Sequence, residues 1–197
     1  MTLRIFARHA QSTLNHTHRI NGDPSVVVPL TDLGRLQAEG LGLQLSHVPL
    51  ELVVHTRFGR TADTAAAVLR SHPSAQVEVE PLLDDIDVGD LEGLPIEEYR
   101  TWKRAHGRGH PFPGGESLDD AASRYAEAFR RLAERPQATI LVVCHEIPVR
   151  YALNAAGGSD ELDAPVHDVD NAAPYLFDGS ALVAAAARIE ELVGPAT

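Results

Sequence analysis

Leu3-Arg4-Ile5-Phe6-Ala7-Arg8-His9-Ala10-Gln11-Ser12-Thr13-Leu14-Asn15 is the stretch whose reading decides the fold. Its first half is a short apolar run that stops at Arg8-His9 and gives way to small and polar residues. That is the pattern of a buried strand delivering side chains to a site at its carboxyl end. An arginine presents a planar fork of donors that matches phosphate oxygens two at a time. An adjacent imidazole can attack phosphorus and carry the phosphoryl group as a covalent intermediate. The weight of the pair depends on what the other strands end in.

Two more apolar strands end in similar residues. Leu52-Val53-Val54 runs into His55-Thr56-Arg57, and Arg60 falls in the first turn of a helix expected from Gly59 to about Ser71. Thr139 to Cys144 is a continuous β-branched apolar run, expected at the centre of the sheet, and it ends in His145. A helix to about Ala156 should follow, with Pro148 tolerated in its first turn.

Other elements fill the intervals. Thr31 caps a helix through about Ser46 with Leu33, Leu36, Leu41 and Leu45 near one stripe, and Gln76 to Glu80 alternates like a strand nearer a sheet edge. Pro95 opens a helix to about Ala105, and Ser117 caps a long one to about Arg135. Ser12 to Leu30, Leu82 to Pro95 and Gly107 to Gly115 read as irregular. Pro174 to Phe177 and Ala181 to Ile189 flank Asp178-Gly179-Ser180 as a hairpin, although the alanine run reads equally as helix. This alternation predicts an α/β fold, an open and mainly parallel sheet with helices on both faces. Arg8, His9, Arg60 and His145 then converge beyond one sheet edge as a pocket for a dianion.

The 197 residues, 44% hydrophobic and 23% charged, suit one globular domain over 1–197. No stretch approaches the roughly 18 unbroken apolar residues of a membrane span, and Met1 leads straight into the first strand without a signal segment, so a cytoplasmic protein is expected. Cys144 is the single cysteine and excludes an internal disulfide. A net charge of −11 repels nucleic acid and anionic lipid, so neither is expected as a partner. An anionic substrate must be drawn by locally clustered arginines.

The chain resembles the histidine phosphatase superfamily, which includes the phosphoglycerate mutases, in its small-domain branch. The match rests on Arg8-His9-Ala10-Gln11-Ser12 with Asn15, Thr56 with Arg60 and Thr64-Ala65, Asp85 to Gly93, Pro113-Gly114-Gly115-Glu116-Ser117, and His145 after its apolar strand. The resemblance implies a three-layer α/β/α sandwich and a phosphohistidine on His9. It also implies a phosphate pocket of Arg8, Arg60 and His145, with Asn15 as a further phosphate ligand, and neither metal nor other cofactor.

Each role has a physical reading. His9 must be neutral at its attacking nitrogen, with the other ring nitrogen donating to a backbone carbonyl. Arg8 and Arg60 neutralise non-bridging oxygens, and a protonated His145 would add a third positive donor. The leaving oxygen needs a proton from a carboxylic acid. The family's acid is a glutamate, and Asp85 stands at its position, one methylene shorter. Glu146, directly after His145, is the second candidate and resembles the acid phosphatase branch; the motif around Asp85 favours Asp85. Glu116 reads as the end of a turn before a helix. His16 with His18, and His106 with His110, lack a third ligand, so no metal site is expected.

These readings predict a phosphomonoesterase acting on a small phosphorylated metabolite. Leu14, where mutases often carry a tryptophan before the asparagine, and a short middle insertion argue against a phosphomutase. A phospho-ligand binding module of low turnover is the other alternative. Substrate identity and oligomeric state are not legible in these residues.

Overall fold

A computed structural model describes residues 2–194. Its elements run β1 (Leu3–Arg8), α1 (Thr13–His16), α2 (Asp32–Leu45), β2 (Leu52–His55), α3 (Gly59–Leu69) and β3 (Gln76–Val79). They continue as α4 (Ile96–Ala105), α5 (Leu118–Glu134), β4 (Thr139–Cys144), α6 (Glu146–Ala156), β5 (Pro174–Asp178) and α7 (Gly179–Val193). The strands form one sheet in the order β3-β2-β4-β1-β5, parallel except for β5.

Alternation along the strands assigns the layers. Phe6, Leu52, Val54, Ile140, Val142 and Cys144 face one side, against Tyr125 and Phe129 of α5, Ala152 of α6 and Leu182 and Ile189 of α7. Ile5, Ala7, Val53, Leu141 and Val143 face the other, against Ala38, Leu41 and Leu45 of α2 and Ala65 and Val68 of α3. All six residues of β4 are buried, as a central strand covered on both faces requires. The result is a three-layer α/β/α sandwich.

Local sequence explains the helices. Ser117 and Asp120 form a reciprocal capping box at the start of α5, and the buried face repeats at Leu118, Ala121, Ala122, Tyr125, Phe129 and Leu132. Asp178 caps α7 through the Ala181 N–H at 2.8 Å. The hairpin expected at this end is therefore corrected: Ala181 to Ile189 is helix, since Asp178 nucleates it and alanine is the best helix former.

Two more expectations are corrected. Leu33 and Leu36 are exposed, and α2 packs through Gly34, Ala38, Leu41, Gly42 and Leu45. Leu41 and Leu45 are buried as expected, and a Cβ on Gly34 would lie 2.0 Å from the Gln11 carbonyl oxygen, so the first turn of this face needs a glycine. Within Ser12 to Leu30, expected as loop, α1 forms because Ser12 and Asn15 cap each other. Among the described residues, no helix is long and apolar enough to cross a membrane.

Register positions the site. Arg8 pairs with Cys144 and His55 with Val143, so the next residues, His9, His145 and Thr56, leave the sheet side by side. The His9 N–H donates to the Cys144 carbonyl at 2.9 Å, extending the ladder one step. From β1 the chain crosses β4 to reach β2, whereas from β4 it crosses β1 to reach β5. The crevice between β1 and β4 is thus a topological switch point, where open α/β sheets bind ligands.

Candidate active site

His9 is 2% exposed, with its ring fixed at both nitrogens. Nδ1 lies 2.8 Å from the Ala10 carbonyl oxygen and must donate to it. Nε2 is then the free lone pair, and it accepts from Arg60 Nε at 2.9 Å. Burial, then the Arg60 and Arg8 guanidinium groups, hold the imidazole well below its ordinary pKa. A neutral ring with an unprotonated, directed Nε2 is a poised nucleophile.

Arg60 is the hub. It is 3% exposed, stacks over Phe58 at 4.2 Å and donates through Nη2 to Asp85 Oδ2 at 3.0 Å and to His145 Nδ1 at 3.1 Å. Nη1 bonds Asn21 Oδ1, and Nη2 reaches the Asn21 carbonyl at 3.1 Å. Glu92 fixes that asparagine. It accepts from Asn21 Nδ2 at 2.8 Å and from the N–H groups of Gly22 and Asp23 at 2.6 and 3.1 Å.

An arginine only donates, so Nδ1 of His145 is an acceptor and its proton sits on Nε2, donating to Thr56 Oγ1 at 3.0 Å. Thr56 passes the chain to Thr61 at 2.9 Å, and Thr61 ends it on the Phe58 carbonyl at 2.7 Å. Burial, then Arg60 and His9, push His145 well below its ordinary value. Burial and the facing Arg60 favour the neutral ring, so the third positive donor that a protonated His145 would add is not what this hydrogen-bond pattern provides.

Asp85 reaches Arg60 and stands 3.4 Å from His145 Nδ1, with a quarter of its side chain open to the cleft. Burial is the largest influence on it and raises its carboxyl above the usual carboxylate range despite Arg60. Arg8 lines the same cleft beside this cluster. Its Nη1 pairs with Glu146 at 2.8 Å and donates to the Val169 carbonyl at 2.9 Å. Glu146, the first residue of α6, also pairs with Arg150 at 3.0 Å. Asn15 lines the same cleft, but its Oδ1 is engaged by Ser12 N and Oγ at 3.1 and 3.0 Å, leaving Nδ2 to face a ligand.

Arg60 thus joins His9, His145 and Asp85 in one hydrogen-bonded cluster, with Arg8 and Glu146 paired alongside and Asn15 on the wall. His9, Arg60, Asp85, Arg8, Glu146 and Asn15 line one cleft of about 500 Å³, whereas His145 is fully buried and is not among its lining residues. Of the other histidines, His167 also lines the cleft, whereas the two pairs weighed as metal ligands lie elsewhere. His16 and His18 are exposed; His106 and His110 stack on each other at 4.7 Å and on Trp102 at 3.8 and 5.7 Å. Glu116 is held by Arg124 at 2.5 Å and ends the turn before α5, as expected. Among the described residues, no group of three or more His, Cys, Asp or Glu side chains could hold a metal. Sequence reasoning missed Asn21 and Glu92, which lie in segments read only as irregular, and Arg150.

Residues 5–181 match the histidine phosphatase superfamily, branch 1. A 2,3-bisphosphoglycerate-dependent phosphoglycerate mutase 2 of Gloeobacter violaceus is 28% identical over 195 residues, covering 92% of this chain and 87% of its own. Phosphoserine phosphatase 1 of Hydrogenobacter thermophilus is 29% identical, covering 81% of this chain and 78% of its own. Among solved structures, YhfR of Bacillus stearothermophilus superposes with a TM-score of 0.77 at 25% identity, over 89% of this chain and 90% of its own. The alpha-ribazole phosphatase of Shigella flexneri shares the fold, with a TM-score of 0.75 at 24% identity over 90% of each chain. The crevice, its paired histidines and the match across 5–181 agree: this chain belongs to the histidine phosphatase superfamily.

Proposed function

We propose that the chain is a metal-independent phosphomonoesterase, one catalytic domain that hydrolyses a small phosphorylated metabolite through a phosphohistidine on His9. The observation that carries this reading is the geometry of His9, whose Nδ1 is held by the Ala10 carbonyl so that its Nε2 lone pair meets Arg60, which also holds the Asp85 carboxyl. A phosphate dianion entering the cleft competes for the Arg60 donors, which releases the Nε2 lone pair. Arg8 exchanges Glu146 for phosphate oxygens, Asn15 Nδ2 adds a donor, and His145 fixes the orientation of the guanidinium.

His9 Nε2 then bonds to phosphorus as the bond to the ester oxygen breaks, and Asp85 gives its proton to that oxygen. Water next attacks phosphorus and the N–P bond breaks. The Asp85 carboxylate takes the water's proton, so inorganic phosphate leaves and His9 is regenerated. The charge spread over the non-bridging oxygens meets Arg8 and Arg60, which supply the electrostatic stabilisation a loose transition state requires.

The test is turnover of a generic aryl phosphate by the native chain and by His9→Ala. Release of phosphate that disappears in the variant supports the reading. Tight phosphate binding without turnover makes the chain a binding module, and exchange of phosphoglycerate isomers makes it a mutase.

A further inference from the structure

His9 and His145 leave the sheet directly, and Arg60 stands in the first turn of α3, but Asp85 lies in a segment, residues 85–88, that belongs to no helix or strand. Ile86 and Val88 are buried and tether this segment to the core, whereas Asp85 borders both the catalytic cleft and a second cleft of about 460 Å³. Packing therefore does not confine its carboxyl group; hydrogen bonds must. An aspartate also has one methylene fewer than the glutamate expected at this position, so it has less side-chain freedom to correct a misplaced backbone.

Arg124, in the second turn of α5, supplies those bonds, and its five donor hydrogens meet five acceptors. Nη1 donates to the carbonyls of Leu82 at 2.9 Å and Asp84 at 2.7 Å. Nη2 donates to the Asp85 carbonyl at 2.9 Å and to Glu116 Oε1 at 2.5 Å, and Nε donates to Glu116 Oε2 at 3.0 Å. The guanidinium stacks on Tyr125 at 4.5 Å, whose hydroxyl also donates to the Asp84 carbonyl at 3.0 Å. Among the described residues, the carbonyls of Asp84 and Asp85 accept from no backbone N–H, so these side chains alone hold them. Glu116 grips the other side of Asp85: its Oε1 accepts from the Asp87 N–H at 3.0 Å, and its own N–H donates to the Asp87 carbonyl at 2.9 Å. A bidentate arginine–carboxylate pair fixes direction as well as distance, and this one is mounted on a long helix with a buried face.

We infer that Arg124, oriented by Glu116, is the positioning residue for the proton donor. It holds the backbone of Asp85 so that the carboxyl group stands at the ester oxygen when His9 attacks phosphorus. A misplacement of about 1 Å costs about 10²-fold in rate, so the clamp has a large effect to exert. Arg124 is not among the residues that line the catalytic cleft, and its action runs through Asp85, on protonation of the leaving oxygen alone. The inference rests on the phosphomonoesterase reading and adds to it how the acid is kept in place.

Two variants test it. Arg124→Lys keeps the positive charge but offers a point of donation where three carbonyls and a carboxylate need a planar fork. Glu116→Gln is milder: it keeps an oxygen for the Asp87 N–H and withdraws the charge that directs Arg124. Each is made in the full chain, alone and on an Asp85→Asn background, and assayed below its measured thermal midpoint with propyl phosphate and 4-nitrophenyl phosphate. Alone, each is expected to lower kcat for propyl phosphate by about tenfold or more, to lower it for 4-nitrophenyl phosphate by less than about threefold, and to leave both KM values within about twofold. With Asp85 already replaced, neither should lower kcat by more than about a further twofold, because nothing is left to position. Unchanged kcat, equal losses for the two esters, or an undiminished loss on the Asp85→Asn background overturns the inference and leaves the phosphatase reading standing. If Arg124→Lys does not fold, Glu116→Gln decides by the same criteria. No turnover of either ester by the native chain overturns both readings.

Discussion

Replacing Asp85 with asparagine removes the acidic proton and one of two acceptor oxygens, the one that accepts from the Ile86 N–H at 3.1 Å. The asparagine oxygen can still accept from Arg60 Nη2, which lies 3.0 Å from the native Oδ2, so phosphate binding and the guanidinium position survive. The lost function is proton delivery to the ester oxygen, and general acid catalysis of this kind is worth about 10² to 10⁴ in rate. That loss depends on the leaving group. An alkoxide cannot depart unprotonated, whereas 4-nitrophenolate can. The expected outcome is a fall in kcat/KM of about 10² or more for an alkyl phosphate and of less than about tenfold for 4-nitrophenyl phosphate. Phosphate release measures the first and nitrophenolate absorbance the second. Glu146→Gln is the control: it weakens the hold on Arg8 and Arg150 and affects both substrates alike. If Glu146→Gln shows the leaving-group dependence and Asp85→Asn does not, the proton comes from Glu146 and the argument from Asp85 is refuted.

Two further outcomes follow from the same contacts. Asn21→Ala removes an acceptor that orients Arg60; a hydrogen bond to a charged group is worth about 1.5–3 kcal/mol, so the thermal midpoint should fall by about 3–12 °C and kcat/KM should drop as the guanidinium loses its orientation. Stability should also depend on pH through His9 and His145, both held well below the ordinary histidine value in the folded state. The unfolded chain binds protons first, so stability is fully present above about pH 6.5 and falls as pH decreases below it, by up to about 1.4 kcal/mol per pH unit for each histidine. Urea titrations at several pH values measure the slope, and His145→Gln should reduce it.

The parts of the fold legible in the sequence are those in which one residue type has one physical use. Thr139 to Cys144 is apolar on both faces because both faces are covered, and it reads as a central strand without ambiguity. Arg8-His9 and His145 stand out because charge follows abruptly on a buried strand, and parallel register makes them neighbours. Only half of the α2 packing face was legible, through Leu41 and Leu45; its first turns were hidden because glycine and alanine carry no hydrophobic signal, although close backbone approach demands them there. The Ala181 to Ile189 segment alternates poorly as strand, and its cap, Asp178, doubled as a turn residue in the hairpin reading.

Within the site, residue types were legible and their states were not. The neutrality of His145 comes from total burial beside Arg60, a long-range consequence of packing. The Arg8 to Glu146 pair joins residues far apart in sequence, and the chain from Glu92 through Asn21 to Arg60 crosses three segments. None of these leaves a local pattern.

The central claim is that His9 Nε2 becomes covalently bonded to phosphorus. Rapid mixing of the chain with a ³²P-labelled phosphomonoester, followed by an alkaline quench and isolation of the protein, measures it directly. The account predicts label on His9 that survives alkali and is lost in acid, as an N–P bond requires, and no label on His9→Ala. Turnover with no protein-bound label at any mixing time, or label persisting in the His9→Ala chain, would contradict it.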